Sequence, residues 1–375
     1  MTEREPWMTD PLYNPATGTP KEQLPTPALV VDVEVMEANL ATMARFFENG
    51  PTRLRPHFKT HKCPILAQKQ VQVGAIGLTC AKLSEAEVLA QAGIQSILIA
   101  NEIVTPLKIA RLAELSKQRQ MIVAVDDAEN IRLISQIAQE AGATVNLLVE
   151  VNVGLRRCGV QPGEPALVLA RQITRLPGVH FSGLLGYEGH TVLIPDLPTR
   201  QVNVQQAMGE LVRTADRIRQ EGIAVEIVSA GGTGTYFLTG SFPGVTEVEA
   251  GSYLFMDTRY QQLGLPFRNS LSLVATVISV RGPSRAILDA GMKVLTTDNG
   301  LPEVISPPGV TLVALHEEHG ILEVDATRVQ LHLGDLVELL PSHVCTTVNL
   351  HDRYYALRNG HLEDIWPISG RGKSQ

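Results

Sequence analysis

Short apolar runs separated by amphipathic stretches constrain this chain more than any other feature. The runs are Ala28–Val31, Leu54–His57, Ile76–Cys80, Ile97–Ala100, Met121–Val125, Val145–Val151, Phe181–Tyr187, Ala224–Ser229 and Thr246–Glu249. Helix-like segments such as Ser84–Ala92, Pro106–Lys117, Ala128–Ala141 and Val202–Glu221 lie between them. Near-continuous apolar strands alternating with helices predict a parallel sheet covered on both faces. An open doubly wound sheet would want G-x-G-x-x-G after its first strand. Here Asp32-Val33-Glu34 follows Val31, so the rhythm predicts a TIM-like (β/α)8 barrel over residues 28–264.

After residue 264 the rhythm changes. Leu271–Val280, Arg285–Asp289, Thr311–Leu315, Gly320–Val324, Leu336–Leu340 and Tyr354–Arg358 are β-rich, with Gly282-Pro283, Pro307-Pro308-Gly309 and Asn359-Gly360 as punctuation. Residues 265–375 therefore read as an antiparallel β domain. The irregular lead-in, residues 1–27, is free to pack on it.

The charge balance, 32 Lys and Arg against 39 Asp and Glu for a net of -7, argues against nucleic acid or an anionic membrane as partner. No apolar run is long enough to span a bilayer. Cys63, Cys80, Cys158 and Cys345 form no C-x-x-C pair, which suits a reducing compartment. The expectation is a soluble, cytoplasmic protein that acts on a small molecule.

In such a barrel, chemistry gathers where strands end. The second strand runs into Arg55-Pro56-His57-Phe58-Lys59-Thr60-His61-Lys62. Lys59 is placed to form a Schiff base, with Lys62 a rival on position and a solvated loop lysine the plainer reading. Arg156 and Arg157 stand between glycines at a later strand end, suited to an anion. Gly186-Tyr187-Glu188-Gly189-His190 offers a ring to lie beside a ligand and a titratable imidazole. Ser229-Ala230-Gly231-Gly232-Thr233-Gly234-Thr235 offers backbone N–H groups and hydroxyls to a phosphate; a tight turn without a ligand is the alternative. The next strand carries Glu247 and Glu249, followed by Gly251 and Ser252, and a carboxylate pointing into such a site suits a protonated heterocycle nitrogen.

In the β domain, Pro341-Ser342-His343-Val344-Cys345 places an imidazole and a thiol at i and i+2. On an extended segment these share a side and suit zinc. Glu317-Glu318-His319 is a candidate partner, or a polar turn.

Taken together, R-P-H-x-K-x-H-K, R-C-G-V, A-G-G-T-G-T, E-A-G-S-Y-L-F-M-D and P-S-H-V-C resemble the D-threonine aldolase and D-serine dehydratase family. These are fold-type III pyridoxal-phosphate (PLP) enzymes, distant relatives of alanine racemase, and the likeness runs from about Leu24 to Gly372. It implies an alanine-racemase-type barrel carrying PLP, with Lys59 as the Schiff-base lysine and Lys62 outside the first contacts. It further implies Arg157 at the cofactor's phenolate oxygen, Tyr187 near the pyridine ring, and Gly232, Thr233, Gly234, Thr235, Gly251 and Ser252 at the phosphate. His343 and Cys345 match the family's metal pair, for zinc first and manganese or magnesium as alternatives. A homodimer is implied by the same likeness.

Two departures bear on the reaction. Many aldolases of the family carry Asp where Cys345 stands, and some have H-G-S after the tyrosine where this chain has E-G-H. Both tilt the expectation toward a dehydratase that eliminates water from D-serine, D-threonine or D-threo-3-hydroxyaspartate, giving a 2-oxo acid and ammonia. Hydroxide is a poor leaving group, which explains the need for a metal as Lewis acid. The alternative is an aldolase, with His190 as the base on the hydroxyl, releasing glycine and an aldehyde. A racemase, or a non-catalytic PLP carrier lacking the β domain, are further alternatives.

Overall fold

The computed structural model describes residue 10 and residues 13–375. Two compact units are present: one takes the described residues up to Leu40 with Leu254–Arg371, the other Ala41–Tyr253 with Gly372–Gln375. Among the described residues no helix is long and apolar enough to cross a membrane.

The first unit is a nine-stranded, mostly antiparallel sheet. Its strands are β1 (Ala28–Asp32) and, after the barrel, β10 (Leu271–Val280), β11 (Arg285–Leu288), β12 (Glu303–Ser306), β13 (Val310–Leu315), β14 (Gly320–Val324), β15 (Leu336–Leu340), β16 (Arg353–Arg358) and β17 (His361–Pro367). β10 is the spine, pairing antiparallel with β1, β11 and β15. The hairpin from β16 to β17 turns at Asn359 and Gly360, with φ of 51° and 76°, the left-handed pair that a tight hairpin requires. Leu24, Ala28, Val30, Val274, Tyr355, Leu357 and Leu362 form a core within the sheet unit.

This corrects one expectation. The barrel does not begin at Ala28, because β1 lies between β10 and β16 in the antiparallel sheet. A run buried on both sides, as Ala28–Val31 is, carries no alternation that would say which sheet receives it.

The second unit is the barrel. Helix α1 (Val33–Glu48) leads into β2 (Arg53–Leu54), and then strand and helix alternate: α2 (Pro64–Gln72), β3 (Leu78–Cys80), α3 (Leu83–Gln91), β4 (Ser96–Glu102), α4 (Pro106–Ser116), β5 (Gln120–Val125), α5 (Ala128–Ala141), β6 (Val145–Glu150), α6 (Glu164–Ile173), β7 (Val179–Leu185), α7 (Leu197–Gln220), β8 (Ile227–Ala230), α8 (Tyr236–Thr239) and β9 (Glu247–Val248). All eight strands are parallel, in the order β2-β9-β8-β7-β6-β5-β4-β3. A bridge between His57 and Thr79 joins the two ends of that path.

Alternation along the strands sorts the core into two layers. Ile97, Ile99, Met121, Val123, Leu147 and Val149 pack outward against helix residues such as Ile109, Leu112, Ile131 and Ile134. Leu98, Ile122, Ala124, Leu148 and Leu185 form a separate cluster facing inward. Helix α5 illustrates the local logic. Asp127 caps its start by accepting from Glu129 N and Asn130 N, at 2.8 and 2.9 Å. Left-handed Gly142 ends it.

Inside the barrel Arg55 Nε meets Glu247 Oε1 at 3.0 Å, with side chains only 4% and 3% exposed. Arg55 also donates to Ser96 Oγ at 2.8 Å. A Cβ on Gly77 would lie 2.3 Å from the Ser96 carbonyl oxygen and 2.6 Å from the guanidinium, so only glycine fits there. Removing one partner strands a buried charge. Glu247→Ala should therefore cost about 3–5 kcal/mol in chemical denaturation, whereas a paired apolar replacement of Arg55 and Glu247 should recover most of that loss.

Candidate active site

The turn after β2 carries Lys59. Residues Phe58–Thr60 form a single 3-10 turn in which His57 Nδ1 accepts from Lys59 N at 3.4 Å. Lys59 Nζ stands 6.0 Å from the centre of the Tyr187 ring, and the Arg157 guanidinium carbon 5.8 Å from the same centre. The structure thus brings Lys59 and Arg157 to the same ring, that of Tyr187. His57 is buried, and burial first, then the charges of Lys59, His61, Arg157 and Lys62, hold its imidazole well below its usual range. It is a neutral side chain at neutral pH.

Lys62 is removed from the contest for the Schiff base. Its Nζ is 2.6 Å from Glu85 Oε1, with side-chain exposures of 9% and 1%. Glu85 Oε2 also accepts from Ala81 N at 2.8 Å. Held in a left-handed conformation with φ of 50°, Lys62 is an internal ion-pair partner.

The glycine-rich turn after β8 is anchored by a residue to which the sequence reading gave no role. Glu188, fully buried, accepts from Gly231 N at 2.9 Å, Thr235 Oγ1 at 2.8 Å and Thr239 Oγ1 at 2.5 Å. This corrects the place of Thr235: its hydroxyl hydrogen goes to Glu188, so it fastens the turn and is not a phosphate donor. Thr233 Oγ1 accepts from Tyr253 N at 2.9 Å, which leaves its own hydrogen to give. Among the described residues the backbone N–H groups of Thr233 and Gly234 have no partner. Two unmet N–H groups in a buried turn fit an anion.

Close approach explains the other glycines. A Cβ on Gly251 would lie 2.5 Å from Thr60 Oγ1 and 2.9 Å from the His57 carbonyl, so the segment bearing Ser252 packs directly on the Lys59 turn. A Cβ on Gly232 would meet Tyr187 Cε2 at 3.5 Å, and one on Gly189 would meet Tyr187 Cε1 at 2.4 Å. The ring occupies space that side chains elsewhere would claim. Glu249 accepts from Ser229 Oγ at 2.8 Å. Burial pushes its carboxyl up to about 7, against the Ser229 hydrogen bond and the Lys59 charge, which pull it down.

Two arrangements near these residues carry no signal in the sequence. Tyr253 Oη accepts from Gln70 Nε2 at 3.0 Å, and Gln70 Oε1 meets His61 Nε2 at 3.1 Å, linking the Ser252 segment to the Lys59 turn. Glu150, at the end of β6, lies 4.0 Å from Arg157 Nη2. His190 is exposed and lies over Gly154, where a Cβ would be 2.7 Å from its ring. This places it on the loops after β6 and β7.

In the sheet unit, His343 and Cys345 are not on an extended strand as the i, i+2 argument assumed. His343 is the residue before a short helix, α9 (Val344–Val348). The pair still meets, because the chain turns there: the Cys345 thiol is hydrogen-bonded to His343. Asp298 Oδ2 sits 2.5 Å from His343 Nδ1, and Thr346 Oγ1 donates to Asp298 Oδ1 at 3.0 Å. Burial pulls the imidazole down, but Cys345 and Asp298 outweigh it and lift the group to about 9. Asp298, and not Glu317-Glu318-His319, is the orienting partner; Glu318 instead pairs with Lys293 at 2.6 Å. An imidazole steadied by a carboxylate, with a thiol close by, fits a divalent metal.

The barrel residues likewise fit a planar phosphorylated aldehyde. They offer a lysine, an arginine that cannot lose its charge, an aromatic face and an unsatisfied N–H turn. Residues 31–259 match the alanine racemase N-terminal domain and residues 270–357 a putative serine dehydratase domain. The chain is 42% identical to a D-threonine aldolase of Arthrobacter sp over 96% of both chains. It is 30% identical to the D-threo-3-hydroxyaspartate dehydratase of Delftia sp. strain HT23, over 92% of this chain and 97% of that one. The solved D-threonine aldolase of Filomicrobium marinum superposes with a TM-score of 0.93 at 37% identity, covering 96% of this chain and 99% of that one. A cysteine-to-alanine variant of a D-threo-3-hydroxyaspartate dehydratase, solved in a metal-free form, superposes at 0.86 with 28% identity over 93% and 98% of the two chains.

Two outcomes follow for the purified protein. Lys59→Ala should lose the covalently held, borohydride-fixable PLP absorbance, whereas Lys62→Ala should keep that absorbance and unfold at lower denaturant. Asp298→Ala should weaken metal affinity by roughly 10–100-fold in a competition titration while His343 and Cys345 remain in place.

Proposed function

We infer function from one premise: the chain belongs to the fold-type III PLP enzymes built on the alanine racemase N-terminal domain, among the D-threonine aldolases and 3-hydroxyaspartate lyases. It is a PLP-dependent lyase. The finer reading is a metal-dependent aldolase that cleaves D-threonine-type 3-hydroxy amino acids to glycine and an aldehyde. The observation that carries it is the likeness to D-threonine aldolase over both units at once. This reverses the order expected from Cys345 alone.

Lys59 would hold the cofactor, Arg157 and Tyr187 would orient its ring, and Gly232, Thr233 and Gly234, with Gly251 and Ser252, would take its phosphate. The carboxyl of Glu249, poised near neutrality, would hold or share a proton at the ring nitrogen. Bound PLP supplies an electron sink for the carbanion at Cα. His343 and Cys345 would hold the divalent metal, and the thiolate favours zinc over manganese or magnesium. Bound metal supplies Lewis acidity to the substrate's β-hydroxyl. For cleavage, that hydroxyl must surrender its proton to a base, with His190 the candidate, and the Cα–Cβ bond then breaks.

A second reading uses the same residues and is favoured by Cys345 itself. If Lys59 Nζ takes the Cα proton and hydroxide departs, water is eliminated and the product hydrolyses to a 2-oxo acid and ammonia.

Incubation with D-threonine separates the two. Acetaldehyde and glycine in equal amounts are the expected products; ammonia with a 2-oxo acid would overturn the aldolase reading in favour of the dehydratase. Chelation should abolish either activity but leave the PLP absorbance, since cofactor and metal are held by different units. Cys345→Asp should move metal preference from zinc toward manganese or magnesium, measured as the activity ratio of the reconstituted protein.

A further inference from the structure

At the mouth of the barrel stand three ionisable side chains that the reaction above leaves unused. Glu102 ends β4, Glu150 ends β6, and Cys158 follows in the loop, their ligand atoms within 4.8 Å of one another. An irregularity in β4 brings Glu102 level with Ala124 of the intervening strand, β5. Ala124 is paired in turn with Leu148, two residues before Glu150. Both carboxyls therefore cap the inward apolar cluster that contains Ala124 and Leu148. Glu150 is 5% exposed, and Glu102 Oε1 is buried without a hydrogen-bond partner among the described residues.

Glu102 therefore faces both Glu150 and the Cys158 thiol at that short range in a buried setting. Two carboxylates in such contact cannot both be ionised cheaply, so the contact itself calls for a proton. The other groups that face them are Asp126, at the end of β5, and Arg157, 4.0 Å from Glu150. Asp126 Oδ2 is occupied by Gly159 N at 2.9 Å. Burial, then Glu102, push Glu150 up to about 8, and burial with both carboxylates pushes Cys158 up to about 11. The thiol is thus a neutral donor.

We propose that Glu102 and Glu150 hold one proton between them and act as a single negative charge that positions Arg157 over the Tyr187 ring. They are positioning residues, acting on the cofactor through Arg157. The inference rests on the PLP site proposed above. It gives that site a counter-charge that steadies the guanidinium without placing two negative charges beside an anionic cofactor. On the sign of the effect, the shared proton is present at neutral pH and lost as pH rises through the raised value. The second charge then opposes binding of the phosphorylated, phenolate-bearing PLP.

The test is a titration of the apoprotein with PLP, read by fluorescence, in a double-mutant cycle. Removing the shared charge with the double variant Glu102→Gln/Glu150→Gln should weaken PLP binding roughly tenfold in the wild type and less than about twofold in an Arg157→Ala background. The same factor in both backgrounds overturns the proposal, because the pair would then act independently of Arg157. Arg157→Ala binding PLP as the wild type does would overturn the site reading and the proposal with it. Glu102→Gln imitates the protonated partner, so it should hold its affinity as pH rises through the range where the wild type loses its own. A profile identical to wild type overturns the shared proton even if the double variant fails to fold. A zinc equivalent retained by His343→Ala and lost on adding Glu150→Gln would overturn the proposal in favour of a cation site.

Discussion

The contact between Arg55 and Glu247 is the constraint from which the barrel's chemistry hangs. These residues join the neighbouring strands β2 and β9, which are very short, and a buried ion pair supplies the directional tie that two residues of ladder cannot. Lys59 lies four residues beyond Arg55, and Glu249 two beyond Glu247. The pair therefore sets the spacing between the amine and the carboxyl that face the proposed cofactor. A side chain on Gly77 would collide with the Ser96 carbonyl oxygen and with the Arg55 guanidinium beside it.

Buried carboxylates organise the same unit in three ways. Glu188 is spent on a backbone N–H and two threonine hydroxyls, and that set of donors fixes the glycine turn beside Tyr187. Glu85 is spent on Lys62 and so distinguishes two lysines that stand three residues apart. Glu249 and Glu150 are raised toward neutrality by burial, and carboxyls tuned in that way can hold a proton at physiological pH. Desolvation is the first cause of both rises.

The proposed metal pair follows a different physical plan. His343 and Cys345 lie on either side of a helix start, with Asp298 reaching them from a distant turn. A histidine whose Nδ1 is held by a carboxylate presents its other nitrogen in one orientation. Glu317, Glu318 and His319 are near in sequence to β13 and β14 but serve the surface, as the Lys293 ion pair demonstrates.

The sequence by itself determined the alternation of buried strands and amphipathic helices, hence a parallel barrel, and the change to an antiparallel sheet after it. It also pointed to Lys59, Arg157, Tyr187, the glycine turn and the His343–Cys345 pair as candidates, because each lies within a short motif whose spacing is local. The tertiary structure decided what depends on partners far apart along the chain. β1 joined the antiparallel sheet since an apolar run buried on both faces fits either sheet. Lys62 was set apart from Lys59 by Glu85, Thr235 was turned from a ligand donor into a fastening by Glu188, and Asp298 was brought to His343 across 45 residues. Periodicity records which face a side chain presents. It does not record which charge or donor will meet it there, and in a buried site that meeting fixes protonation, orientation and role.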